Sequence, residues 1–427
     1  MKLVHFFPIQ ILLLLAVTCP ALAYDSLLCD PCAPSRSVFD SCYKPKCFWD
    51  DFKLYGWLQT GLLTNNHGMT NKYDPTAPNG PCSQLDALSG NSYLLMSGQQ
   101  TDLQVNQLWL GVAKPIDVSR SFDWGIQYDM FFGTDAKYGQ SFGDQSFDYG
   151  WGTGDYYLSI PQLYGEVGGN GFKMRAGKFA PSMVTEALPA PATFFYSHAY
   201  ICFNTPLTVT GAVGEYTLGK KITLSAGWTA GSLSSFRNRF GDDGFIGSVA
   251  WRPTTMASIS YNIFRASMNG LNKRADAATR FDRNYDSSHQ TVQTLVLSRQ
   301  IGQRWTYIIE GLLANNSFDF APGDYTSKAY GINQHLIYTI NDRWKGGLRA
   351  EWHHADGTIF DIPPLTGGES GDIYEITLGL NWNPIPNFNV RPELRYDWTH
   401  YANGFKPFNN GRASDQLSGG CAMMVNF

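Results

Sequence analysis

Apolar and polar residues alternate with a two-residue beat along most of this chain. At its end Leu417, Gly419, Cys421, Met423, Val425 and Phe427 fall on one side, and Ser418, Gly420, Ala422, Met424 and Asn426 on the other. Successive side chains of a strand point to opposite faces, so each such row predicts a strand with one apolar face. Phe122, Trp124, Ile126, Tyr128, Met130 and Phe132 alternate with Asp123, Gly125, Gln127 and Asp129. Phe172, Met174 and Ala176 alternate with Lys173, Arg175 and Gly177, and Ile222, Leu224, Ala226 and Trp228 with Thr223, Ser225 and Gly227. Trp344, Gly346, Leu348, Ala350 and Trp352 alternate with Arg343, Lys345, Arg349 and Glu351. Tyr374 to Trp382 and Phe388 to Trp398 repeat the pattern, with Glu375, Arg391, Glu393, Arg395 and Asp397 in their polar rows. Weaker strands are predicted at 52–64, 102–113, 159–168, 207–218, 245–252, 255–266, 289–299, 304–314, 328–340 and 416–427. The total is about 16 strands, within roughly 14 to 18.

The connections carry separate information. Tight turns fall near Pro115–Ser121, Gly168–Gly171, Gly219–Lys220, Arg252–Thr254, Gln300–Gln303, Asn341–Asp342 and Asn383–Asn387. Long ones fall near 65–101, 134–158, 180–206, 229–244, 267–288, 315–327, 355–371 and 399–415. Short and long alternate throughout. A transmembrane, antiparallel, up-and-down β-barrel requires this, with short periplasmic turns and long outer loops. A soluble β-sandwich has no such requirement. The predicted fold is therefore all-β, with the apolar rows facing lipid and the polar rows facing a lumen.

Residues 1–23 read as a signal peptide: Lys2, an apolar stretch over Ile11–Val17, and Ala21-Leu22-Ala23 as the cleavage site. That stretch is too short for a membrane anchor. A lipoprotein anchor at Cys19 is poorly flanked by Thr18 and Pro20. The predicted domains are thus the leader 1–23, a Cys-rich periplasmic segment 24–51 and a barrel 52–427. Mean hydropathy is −0.23, a value that lumen-facing polar residues give to outer-membrane barrels as well. Charged residues make up 16%, against roughly 25% in an ordinary soluble domain. A net charge of −4, one unit more negative once Lys2 is removed, argues against nucleic acid.

Four cysteines crowd the N-terminal segment: Cys29, Cys32, Cys42 and Cys47. Export favours disulfides, in any of three pairings. A zinc site is the alternative, from the Cys29-x-x-Cys32 spacing. Cys82 and Cys202 lie in long loops and form a further candidate pair, whereas Cys421 is expected to be free. No cofactor motif is present: no phosphate-binding Gly-rich loop, no nucleophile elbow and no paired-His zinc signature.

Particular segments resemble a known group. They are Tyr55-Gly56-Trp57, Leu103-x-x-Asn106-Gln107-Leu108, Tyr128-Asp129-Met130-Phe131-Phe132-Gly133-Thr134-Asp135 and Pro206-x-x-x-x-Gly211. Over roughly 50–427 the chain resembles the β-barrel porins of the OmpL-like type from bacterial outer membranes. The terminal Phe427 resembles the C-terminal signal of such barrels. The resemblance implies an outer-membrane pore passing ions and small hydrophilic solutes. It brings no catalytic residues. By analogy with the architecture it implies a homotrimer.

The polar rows then nominate a pore lining: Asp123, Asp129, Lys173, Arg175, Arg343, Lys345, Arg349, Glu351, Glu375, Arg391, Glu393, Arg395 and Asp397, with His353 beside them. A basic patch around Glu375 is expected to bias passage towards anions or sugar acids. The alternative is that these charges only neutralise one another across strands. The third long loop, 180–206, has Glu186 as its only charge and is crowded with Phe194, Phe195, Tyr196, Tyr200 and Phe203, with His198 among them. So apolar a loop avoids water, and its expected role is a constriction or plug.

Two other function classes compete. A rim hydrolase needs Ser, His and an orienting polar group; His354 lies near Asp356, but sequence places no Ser beside them. A surface-binding anchor is the second, with Asp135, Asp144, Asp148 and Asp155 as conceivable Ca²⁺ ligands that match no EF-hand spacing.

Overall fold

Strands that turn one apolar row outward leave no unpaired edge only if the sheet closes on itself. The computed structural model describes residues 51–67, 103–141, 147–154, 156–231, 236, 243–267, 288–320, 323–356, 370–401, 404, 406–409 and 412–427. Its single sheet has 17 strands. One of these is the two-residue strand Gly152–Thr153, inside a loop; the other sixteen form a closed barrel. They are β1 (Lys53–Asn65), β2 (Gln104–Lys114), β3 (Asp123–Gly133), β4 (Tyr156–Gly169), β5 (Phe172–Phe179), β6 (Val209–Leu218), β7 (Ile222–Thr229) and β8 (Gly244–Thr254). There follow β9 (Ala257–Ser267), β10 (Ser288–Ile301), β11 (Trp305–Phe320), β12 (Gly323–Thr339), β13 (Trp344–Asp356), β14 (Gly371–Ile385), β15 (Phe388–Tyr401) and β16 (Asp415–Asn426). Each pairs with its sequence neighbours, and β16 pairs antiparallel with β1, from Trp57 opposite Asn426 to Asn65 opposite Ser418. Gly56 and Phe427 exchange both backbone hydrogen bonds at this seam, at 3.0 and 2.9 Å.

The predicted faces hold. On β16, Leu417, Met423 and Val425 are exposed while Gln416, Ser418, Ala422 and Met424 are buried. Outward aromatics gather at two levels. Trp344 stacks on Trp382 at 5.4 Å towards the short-turn end, and Tyr374 on Trp398 at 5.2 Å towards the long-loop end. Trp344 and Trp352 mark the two levels on β13. Eight residues at ~3.4 Å each span about 27 Å of strand, and about 20 Å of membrane normal at a tilt near 40°. That matches an apolar band bounded by aromatic girdles.

Two short turns show why they are tight. Asn170 and Gly171, and likewise Gly219 and Lys220, have φ of 53, 82, 55 and 64°. Two successive positive φ values twist a two-residue hairpin with its strands.

One expected loop is absent. The strand pair β11–β12 stays in register from Trp305 opposite Tyr338 to Phe320 opposite Gly323. The predicted long connection 315–327 is therefore two residues, and the hairpin projects beyond the band. A strand outside lipid needs no apolar row, so the alternation that identifies the others is missing there.

Candidate functional site: the lumen and its inward-folded loop

The connection from β5 to β6, residues 180–208, folds into the barrel. It carries two short 3-10 turns, Ala190–Ala192 and Tyr200–Asn204. Outside regular structure its backbone groups need partners, and the inward faces of the strands supply them. Glu393 accepts from the N–H groups of Tyr196 and Ser197 at 2.8 and 3.0 Å. Glu351 accepts from those of Tyr200 and Ile201 at 2.6 and 2.7 Å. Glu310 accepts from Thr185 N–H at 2.8 Å. Arg391 donates to Ala190 O at 2.9 Å, Arg395 to His198 O at 2.6 Å and Gln107 to Leu188 O at 2.8 Å. The carboxylate and guanidinium bonds among these are charge-assisted, about twice as strong as neutral ones.

The charges also pair among themselves. Glu186 meets Arg349 at 2.5 Å, Arg349 meets Glu375 at 2.5 Å, Glu375 meets Arg395 at 3.6 Å, and Arg395 meets Asp397 at 2.8 Å. Alternating signs leave no isolated charge in this buried row. Burial alone pushes the Glu186 carboxyl up, but Arg349 and His198 hold it well below the ordinary carboxylate range.

Glycine makes room for the loop's aromatics. Gly347 and Gly379 face inward on β13 and β14. A Cβ on Gly347 would overlap the Phe194 ring, and one on Gly379 would lie 2.9 Å from the Phe195 ring. Gly61 on β1 is closed in the same way by Tyr196. Opposite, Trp57, Trp109 and Phe131 stack inward on β1–β3 at 4.6 Å intervals and pack with Leu188, Tyr196 and Tyr200. Met183, Ala199 and Ile201 pack against Phe264, Val292 and Leu312. The loop thus bridges the lumen from β1–β3 to β9–β15.

A family model described as "Putative beta-barrel porin-2, OmpL-like" matches residues 51–427. The chain belongs to that family. It is an outer-membrane porin, a β-barrel channel for passive diffusion. Its fold is similar to that of OmpT in trimer form, an outer membrane protein of Vibrio cholerae, with a TM-score of 0.53, 12% identity, 88% of this chain and 99% of that one covered. The outer membrane channel DcaP of Acinetobacter baumannii gives a TM-score of 0.55 at 10% identity, covering 88% and 97%. An anion-selective porin from Comamonas acidovorans gives 0.53 at 13%, covering 88% and 99%. No curated protein matches the chain.

Of the charges nominated as pore-lining in this porin, Arg349, Glu351, Glu375, Arg391, Glu393, Arg395 and Asp397 do point inward but are buried. All but Glu375 bond the loop directly, and Glu375 is held by Arg349 and Arg395, so the expected anion-biasing patch is enclosed. Asp129 is enclosed too, within a ring of Tyr55, Trp109, Gln127 and Gln162. Asp123 sits at the short-turn end, accepting from Lys114 at 3.1 Å and from Asp117 N–H at 2.9 Å. Lys345 is exposed at that end. Arg343 is not in β13 at all: it lies exposed in the β12–β13 turn. Lys173 and Arg175 are only half-buried and meet Glu166 at 3.8 and 2.8 Å, with Glu215 3.4 Å from Lys173.

Cys202, in the loop's second 3-10 turn, is a free and fully buried thiol, so the expected pairing with Cys82 does not form. Cys82 itself, and Cys29, Cys32, Cys42 and Cys47, lie outside the described residues. Cys421 is free and faces outward. Asp148 gives its carboxylate to Lys178 at 2.9 Å and to the N–H groups of Ser141 and Ile160 at 2.8 and 2.9 Å, which leaves nothing for Ca²⁺. Asp135 bonds Gln107 and Asn106; Asp144 and Asp155 lie outside the described residues. At the outer rim Ser370 does reach His354 Nε2, at 3.3 Å, and Asp372 meets Nδ1 at 2.8 Å. The Ser370 hydroxyl, however, donates to Asp356 at 2.5 Å. Its hydrogen is directed away from the imidazole, contrary to what a serine nucleophile needs.

Proposed function

We propose that loop 180–208 is the constriction of this porin and that solutes pass beside it, along the inward face of β4–β8. The supporting observation is the contrast in exposure. Inward polar residues of that wall, namely Lys173, Arg175, Glu215, Thr223, Ser225 and Ser248, are only half-buried, whereas the β13–β15 charges are sealed. Two cations, Lys173 and Arg175, face two carboxylates, Glu166 and Glu215. So balanced a wall discriminates weakly between ions and suits small hydrophilic solutes. On this reading the barrel performs no catalysis, residues 1–23 are removed on export, and 24–51 form a periplasmic segment closed by disulfides. A homotrimer is in keeping with the trimer form of the similar Vibrio protein.

Single-channel conductance of the mature chain in a planar bilayer tests this. Discrete steps with a reversal potential near zero across a KCl gradient are expected. Deleting 186–200 should enlarge the steps. Silence from a folded barrel would instead favour a plugged, substrate-specific channel or a surface anchor, a reading that the extent of loop packing across the lumen also supports.

A further inference from the structure

The inward loop gathers three ligand-bearing side chains that the clamp does not fully use. Glu186, His198 and Cys202 are buried, and one ligand atom from each lies within 4.8 Å of the others. His198 Nδ1 is enclosed and makes no hydrogen bond. It stands 3.4 Å from Glu186 Oε2, long for an N–H···O bond; that oxygen accepts from Ala199 N–H at 2.8 Å and keeps a second lone pair for a ligand. Two ligands of one tetrahedral zinc, with bonds of about 2.0–2.1 Å, stand about 3.3–3.4 Å apart. Cys202 lies four residues after His198, inside the 3-10 segment Tyr200–Asn204.

We propose that Glu186 Oε2, His198 Nδ1 and Cys202 Sγ form a binding site for a borderline-soft divalent cation of the zinc type. Thiolate, imidazole and carboxylate together are the donor set that such an ion selects. The neighbouring charges allow it. Arg349 occupies the other oxygen of Glu186 and is itself paired with Glu375. Glu351 and Glu310 add negative charge near the Cys202 sulfur. On binding, the Cys202 S–H bond breaks, its proton leaves to the buffer, and metal–sulfur, metal–nitrogen and metal–oxygen bonds form. One thiolate and one carboxylate then neutralise the dication. The fourth position falls to water. Because the donors come from both arms of the loop, the ion would staple it in its inward fold.

The assignment rests on the inward loop but not on the channel reading, since metal binding is read without conductance. The test is refolding the mature chain with Co²⁺ as probe, carrying Cys29→Ser, Cys32→Ser, Cys42→Ser, Cys47→Ser, Cys82→Ser and Cys421→Ser so that Cys202 is the one thiol left. One Co²⁺ per chain is expected, with a thiolate-to-cobalt charge-transfer band and release of one proton. Cys202→Ser should abolish the band, and His198→Gln should lower affinity at least tenfold. Absence of the band in the folded barrel, or its persistence in folded Cys202→Ser, would overturn the proposal. If those variants do not fold, X-ray absorption of the Co²⁺-loaded parent decides. A shell of one sulfur with lighter ligands supports the site, and a shell without sulfur removes it.

Discussion

Replacing Arg349 by Met isolates the clamp. The guanidinium is fully buried and bonds Glu186 and Glu375 at 2.5 Å each, Ser197 O at 2.8 Å, and faces the Phe195 ring at 4.9 Å. Met keeps much of the volume and loses the charge. Glu375 retains Arg395 at 3.6 Å, so the uncompensated charge falls on Glu186. A buried carboxylate stripped of its partner costs about 3–5 kcal/mol. The barrel wall is held by its own ladder, and the loop bears the cost. At about 1.4 kcal/mol per factor of ten, release of the loop becomes roughly a hundred to several thousand times more favourable. In a planar bilayer R349M should show larger steps and frequent transitions between levels. The buried Cys202 thiol should become open to maleimide. Adding Glu186→Gln removes the stranded charge and should restore most of the wild-type conductance and thiol protection. Unchanged conductance together with a protected Cys202 in R349M would refute the clamp, and so would a double variant as open as the single one.

Other perturbations have equally definite outcomes. Gly379→Ala should displace Phe195 and the loop with it, read as increased conductance with unchanged heat-modifiable migration of the barrel. Lys173→Gln with Arg175→Gln leaves Glu166 and Glu215 in the open wall, so the reversal potential across a KCl gradient should move towards cation preference. Lys178→Met strands the buried Asp148 at a cost of about 3–5 kcal/mol, and protease should then nick the 134–154 region faster. The depressed Glu186 carboxyl stabilises the closed loop above the ordinary carboxylate value and loses that contribution only as pH falls through its own, much lower one. The Glu186 carboxyl should therefore still be ionised near pH 4, read in difference infrared spectra as a carboxylate band that Glu186→Gln lacks; loss of that band near pH 6 would contradict it.

Most of the barrel was legible because lipid imposes a strict rule. Wherever a strand crosses the apolar band, every second residue is apolar, and Trp124, Trp228, Leu378 and Leu394 all sit where the alternation puts them. The rule lapses beyond the band, so the β11–β12 extension carries no strand signal in its sequence. It also says nothing of the lumen's contents. Trp57, Trp109 and Phe131 lie in polar rows, and nothing in the period distinguishes an inward aromatic from an irregularity. The inward glycines carry the same ambiguity. Gly347 and Gly379 look like pauses in a strand, and only the rings of Phe194 and Phe195 above them give them a purpose. Ser370 met His354 through strand pairing across β13–β14, a contact with no local sequence signal.

The same charges that suggest a selective lumen by sequence act differently once the loop is in place. Arg349, Arg395, Glu375 and Asp397 sit in one buried row of alternating sign. A charge can steer ions through a pore only while water transmits its field to a passing solute. Here each field ends on an opposite charge or a loop amide within hydrogen-bond reach. What steering remains belongs to Lys173, Arg175, Glu166 and Glu215, where positive and negative charges are balanced. On the proposed solute path, the strongest electrostatics of the barrel position the loop, and the wall beside it is close to neutral. A pore built this way sorts by size before it sorts by charge, so loosening the clamp should raise conductance far more than it changes ion preference.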